Sequence, residues 1–214
     1  MREVFQQELR EVQDRLVQIA ELVETAIQQA TNSFASSDVT LAEEVLDGDE
    51  EVERLTAELD TLAVNILARQ QPVASDLRLM VGALRMSASL ERMADLAQHI
   101  AQLARYRYPE SAIPEGLRKT FSKMGAIDVI MASKLVKLLR EQDPKLISEI
   151  RDLDDDLDEL HAKVFGKVLG EKVRVEGPAG VVDATLASRY HERFGDHAVA
   201  ITKQVNFFLS GEIA

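Results

Sequence analysis

Glu91-Arg92-Met93-Ala94-Asp95 recurs 101 positions later as Glu192-Arg193-Phe194-Gly195-Asp196. A second phrase behaves the same way. Asp49-Glu50-Glu51-Val52-Glu53-Arg54-Leu55 resembles Asp154-Asp155-Asp156-Leu157-Asp158-Glu159-Leu160, at an offset of 105. Two phrases repeated in the same order make the chain two copies of one unit. The two offsets differ by a small indel, which the connections near 71–75 and 170–178 are expected to absorb.

Each unit reads as three helices. All five prolines (Pro72, Pro109, Pro114, Pro144 and Pro178) fall where an apolar helical pattern breaks. Proline disrupts a helix interior but suits its first turn. A further break at Ser36-Ser37-Asp38 carries N-cap residue types. The expected helices are roughly 3–35, 38–70, 74–108, 114–142, 144–170 and 178–210. In the first, Phe5, Leu9, Val12, Leu16, Ile19, Val23, Ala26 and Ala30 step by four and three, an apolar seam suited to bundle packing. In the third, Met80, Ala83, Ser87, Leu90, Ala94, Ala97, Ala101 and Ala104 make a seam of small residues that permits close helix approach. The fourth uses Leu117, Phe121, Met124, Met131, Leu135 and Leu138. No segment alternates with period two, so strands are not expected. The fold class is all-α: two similar three-helix bundles, 1–108 and 109–214, related by a pseudo-two-fold.

Composition narrows the chemistry. There is no cysteine, which removes disulfides, thiolate metal sites and a cysteine nucleophile and fits a cytoplasmic protein. No apolar run approaches the roughly 18–20 residues of a membrane span, and the polar, acidic N-terminus is unlike a signal peptide. A net charge of −12 opposes nucleic acid and anionic lipid and favours divalent cations or basic protein surfaces.

Each unit also carries two acidic pairs at i, i+4, Asp49/Glu53 with Glu91/Asp95 and Asp154/Asp158 with Glu192/Asp196. That spacing puts both acids on one helix face. Like charges so placed cost an isolated helix about 0.2–0.5 kcal/mol, so a cation, an arginine or solvent must offset them. Glu91 and Asp95 border the buried stripe, and antiparallel packing of the second and third helices would bring four carboxylates to one groove. Such an all-oxygen set suits Mg²⁺, Mn²⁺ or Ca²⁺, and also iron. The ordinary alternative is a solvated face in which Arg92 pairs with Asp95 and Arg193 with Asp196. Arg78, Arg85 and Arg92 recur every seven residues. This row is expected to pair with acids of a neighbouring helix, the alternative being an anion. His161, in a single Asp-x-x-His with Asp158, is expected on the helix surface. No Gly-rich phosphate loop, Gly-x-Ser-x-Gly or His-Glu-x-x-His is present.

Two three-helix units, each with an acid-x-x-x-Asp phrase inside Glu-Arg-hydrophobic-small-Asp, resemble the PhoU family of bacterial phosphate-uptake regulators. The stretches 66–78 and 83–100 carry the same likeness, which spans essentially the whole chain. The resemblance implies multinuclear metal clusters on the bundle surfaces, held by Glu91, Asp95, Glu192 and Asp196 with Asp49, Glu53, Asp154 and Asp158. The metal is left open among Fe, Mn, Mg, Zn and Ca. Ala94 stands where the family often has Gly, and Glu53 where Asp is frequent. The resemblance also implies a non-enzymatic adaptor that damps the phosphate-starvation response. Its partners would be the phosphate-sensing histidine kinase and the ATPase subunit of the phosphate ABC transporter. It implies a homodimer, contact with the membrane only through partners, and no direct nucleic-acid binding. A carboxylate-bridged metal enzyme, oxidase-like or phosphohydrolase, and a metal-free helical scaffold stay open as alternatives.

Overall fold

Six helices form as the sequence pattern requires, in a computed structural model that describes residues 2–170 and 177–211. They are α1 (Arg2–Ser36), α2 (Val39–Gln70), α3 (Ser75–Arg107), α4 (Arg118–Glu141), α5 (Pro144–Val168) and α6 (Gly177–Ser210). No strand occurs among the described residues. The first residues expected in the fourth helix instead form a separate 3-10 turn at Glu115–Leu117.

The duplication is visible in the turns. Asp38 caps α2 by accepting the Leu41 N–H, and Asp143 caps α5 by accepting the Lys145 N–H. Ser37 and Gln142, immediately before the two caps, both adopt positive φ, 58° and 55°. Each hairpin is therefore built by the same local device: a left-handed residue reverses the chain and a side-chain carboxylate satisfies the next helix's free N–H groups. The indel is absorbed differently from expectation. α2 runs 32 residues and α5 only 25, so the second copy is shortened within the helix itself. The connection between α5 and α6 lies largely outside the described residues.

Side-chain contacts fix the helix directions. Arg15 pairs with Glu58, and Arg69 with Glu8, so α1 and α2 are antiparallel. Lys134–Glu149 and Lys167–Thr120 do the same for α4 and α5. α3 and α6 share an extensive antiparallel contact, marked by Arg107–Asp183 at one end, His99 against Tyr190 in the middle and Arg78 over Phe207 at the other. α1 packs against α4 through the Phe34–Phe121 edge-to-face pair, ring centroids 5.4 Å apart. One continuous apolar core therefore runs through both halves, with α2 and α5 on its outer flanks.

One feature of the core breaks the repeat. Asp128 of α4 and His191 of α6 are fully buried and hydrogen-bonded to each other through Asp128 Oδ2 and His191 Nδ1. Asp128 Oδ1 and His191 Nε2 find no partner. Burial pushes the Asp128 carboxyl above its usual range, and His191 draws it back down. Counting from the matched hairpin caps, the first-half counterpart of Asp128 is Val23; by the α3/α6 phrase, that of His191 is Leu90. Both counterparts are buried. Removing one member of a buried ion pair costs about 3–5 kcal/mol, whereas replacing both with apolar groups is often neutral or stabilising by about 1–4 kcal/mol. In urea unfolding, His191→Leu should be strongly destabilised, and Asp128→Val with His191→Leu should recover to wild type or above. A double variant less stable than the single one would contradict this.

Candidate metal centres

The geometry starts with the hairpins. Antiparallel α2 and α3 bring Asp49 opposite the Glu91-x-x-x-Asp95 phrase; antiparallel α5 and α6 bring Asp154 opposite Glu192-x-x-x-Asp196. The charges register this directly. Burial pushes the Asp49 carboxyl up, and Asp95, Glu53 and Glu91 push it further, while a Gln98 hydrogen bond opposes them. Asp154 is pushed up to about 6, by burial and then by Asp158, Asp196, Asp155 and Glu192. All eight carboxylates nominated from the sequence thus fall into two groups of four, with Asp155 joining the second. Asp49, Glu91, Asp95, Asp154 and Glu192 are half-buried, whereas Glu53, Asp158 and Asp196 are exposed.

Gly195 shows why the phrase needs a small residue before its Asp. A Cβ there would run into Asp154 Oδ1 and lie 3.0 Å from Leu157 Cδ2. The Asp154 carboxylate therefore lies down against the α6 backbone, in space that any side chain would fill. Hard oxygen donors held in such a cradle fit a divalent or iron cation.

The arginines near the clusters act differently in the two halves. Arg92 Nη1 donates to Asp95 Oδ2 at 2.7 Å, the expected local pair. Its second-half analogue, Arg193 with Asp196, is not formed among the described residues. Arg189, whose counterpart is Ala88, instead pairs with Glu192. No three acid or histidine side chains close to metal-ligand spacing among the described residues. Asp95 and Glu192 are turned toward guanidinium groups.

Two histidines belong to this neighbourhood. His161, expected on the helix surface, is half-buried: its Nδ1 shares a hydrogen bond with Ser188 Oγ across α5 and α6, and it lies close enough to Glu192 to oppose the rise of that carboxyl. His197 feels both halves. Burial and Arg193 push its pKa down, with Arg92 adding to them, while Asp196 and Asp95 oppose. The two clusters therefore meet at one level of the α3–α6 contact.

The raised Asp154 carboxyl gives a pH signature. Between roughly pH 4 and its folded value near 6, the folded chain holds a proton that the unfolded chain has released. Stability therefore falls as pH rises through that window, and the loss persists above it. In chelator, Asp154→Asn should melt above wild type at pH 7.5, and the two should converge by about pH 4. Equal melting temperatures at pH 7.5 would contradict the crowding of these carboxylates.

Comparison with known proteins places the chain in a family. The PhoU domain family matches residues 16–104 and again 121–205, so each match contains one acid phrase. The chain is 37% identical over 211 residues to the phosphate-specific transport system accessory protein PhoU homolog 2 of Mycobacterium tuberculosis, covering 99% of each. It is 36% identical to PhoU homolog 1 of Mycobacterium leprae, covering 99% of this chain and 95% of the relative. The crystal structure of PhoU from Pseudomonas aeruginosa superimposes with a TM-score of 0.86 at 27% identity, covering 97% of this chain and 100% of that one. With both units matched and relatives aligned end to end, the chain belongs to the PhoU family.

Proposed function

We propose that this protein regulates phosphate uptake and the phosphate-starvation response, as a metal-binding adaptor rather than an enzyme. The observation that carries the regulatory role is the end-to-end similarity to phosphate-specific transport system accessory proteins. The adaptor reading names two partners, the ATPase subunit of the phosphate transporter and the phosphate-sensing histidine kinase. A net charge of −12 suits docking on basic faces of such partners, where complementary potential speeds and orients association. No helix among the described residues is long and apolar enough to cross a membrane, so membrane contact would come through those partners.

Metal binding rests on the two carboxylate groups. Asp49, Glu53, Glu91 and Asp95 would hold ions in the first half, and Asp154, Asp158, Glu192 and Asp196 in the second. A cation there would offset the burial and, after it, the like-charge repulsion that raise Asp49 and Asp154, and leave positions open for water, phosphate or a partner side chain. The adaptor reading needs no nucleophile or general base. The Asp128–His191 pair is buried, His191 1% and Asp128 0% exposed.

Metal binding and the regulatory role are tested separately. Elemental analysis of the purified chain should show metal that falls substantially in Glu91→Ala with Asp95→Ala, with helicity and melting little changed; equal content would refute the first site. Arg92→Ala frees Asp95 and removes a competing charge, so it should bind Mn²⁺ several-fold more tightly. For the role itself, affinity purification from phosphate-replete cells should bring down the transporter ATPase and the sensor kinase. A deletion strain that still represses its starvation genes in high phosphate would overturn the regulatory reading.

A further inference from the structure

The arginine row of α3 divides in the structure. Arg92 is paired with Asp95 on its own helix, but Arg78 and Arg85 form no ion pair among the described residues. Both line a cleft of about 370 Å³ between the start of α3 and the end of α6, together with Leu77, Val81, Lys203, Gln204 and Phe207. Lys203 likewise forms no ion pair among the described residues. Three cations thus line one cleft without an ion pair among the described residues, in a chain whose net charge is −12.

Two of the residues that line the cleft carry buried polar atoms without a partner, Arg78 Nε and Gln204 Oε1. Such atoms are rare in folded proteins, and each calls for a partner. Here one is a donor and the other an acceptor. The apolar part of the cleft is Leu77, Val81 and the Phe207 ring, with the Arg78 guanidinium 6.0 Å from the ring centroid. Duplication does not explain the cleft. The second-half counterparts of Arg78 and Arg85 are Ala179 and Leu186, and the first-half counterpart of Lys203 is Gln102. At the other end of the α3–α6 contact, Arg107 is neutralised by Asp183.

We propose that this cleft binds a phosphorylated small organic molecule, of the nucleotide or sugar-phosphate class. Guanidinium groups match phosphate oxygens with paired donors, and Lys203 adds a point charge. The Gln204 amide, on the cleft wall with its oxygen unsatisfied, can turn to accept from a ligand hydroxyl or N–H. Leu77, Val81 and Phe207 cover the base or sugar. The cleft's volume lies in the range of small-molecule sites. None of the eight clustered carboxylates lines it, so the proposal stands apart from the metal reading.

The test is calorimetric titration of the full chain with ADP, in chelator and about 50 mM NaCl so that neither bound metal nor heavy screening intervenes. One saturable ADP site per chain is expected. Arg85→Gln with Lys203→Gln should weaken it about tenfold or more, without lowering the melting temperature, because both side chains are exposed. Glu91→Ala with Asp95→Ala should leave it intact. Inorganic phosphate, which cannot use the apolar wall, should bind at least about tenfold more weakly. The proposal is overturned by no saturable heat at millimolar ADP, by full binding in the Arg85/Lys203 variant, by loss of binding in the Glu91/Asp95 variant, or by phosphate binding as tightly as ADP.

Discussion

The antiparallel contact of α3 with α6 is the constraint on which the rest depends. Both helices bury small residues along their length, among them Ala83, Ser87, Ala94, Ala97, Ala101 and Ala104 on α3, and Ala184, Ala187, Ser188, Gly195 and Ala198 on α6. Small side chains let backbones approach closely, so these two helices can each accept three neighbours. The repeated acid phrase sits within that contact. His197 registers Arg92 and Asp95 from one copy and Arg193 and Asp196 from the other. Once α3 and α6 are placed, α2 and α5 can only pack on their outer sides, and each brings its own pair of acids to the phrase.

That arrangement sets the electrostatics. Packing a second acidic helix against an acidic phrase is unfavourable unless something positive arrives; burial first, and then the neighbouring carboxylates, raise Asp49 and Asp154. The chain supplies one guanidinium to each cluster, Arg92 to Asp95 and Arg189 to Glu192. Arg92 is mostly exposed, and exposed pairs contribute at most about 1 kcal/mol. One weak pair for four crowded acids leaves most of the repulsion unrelieved. A multivalent cation would relieve it with shorter, stronger contacts, and this is what supports the proposed sites over solvated faces.

Most of the architecture was legible in the residues, because the signals were local and repeated. Apolar stepping by four and three gave the helices, Asp38 and proline marked their starts, and the doubled phrases gave the two-unit plan. What escaped depended on tertiary neighbours. Asp128 sits where the α4 seam passes from Met124 to Met131, and only the approach of α6 with His191 makes a buried carboxylate tolerable there. Arg189 has no equivalent in the first half, so the repeat offered only the alternative Arg193–Asp196 pair and gave no sign of Arg189 with Glu192. His161 looked peripheral until α6 placed Ser188 against it. The early end of α5 at Val168 carried no proline to announce it.

The central claim is that each group of four carboxylates is a cation site. Anomalous diffraction from crystals grown with Mn²⁺, recorded on both sides of the manganese edge, tests it most directly. The account predicts peaks among Asp49, Glu53, Glu91 and Asp95 and among Asp154, Asp158, Glu192 and Asp196, with Asp95 and Glu192 turned away from Arg92 and Arg189. Well-ordered clusters without anomalous signal, with both arginine pairs intact, would contradict it.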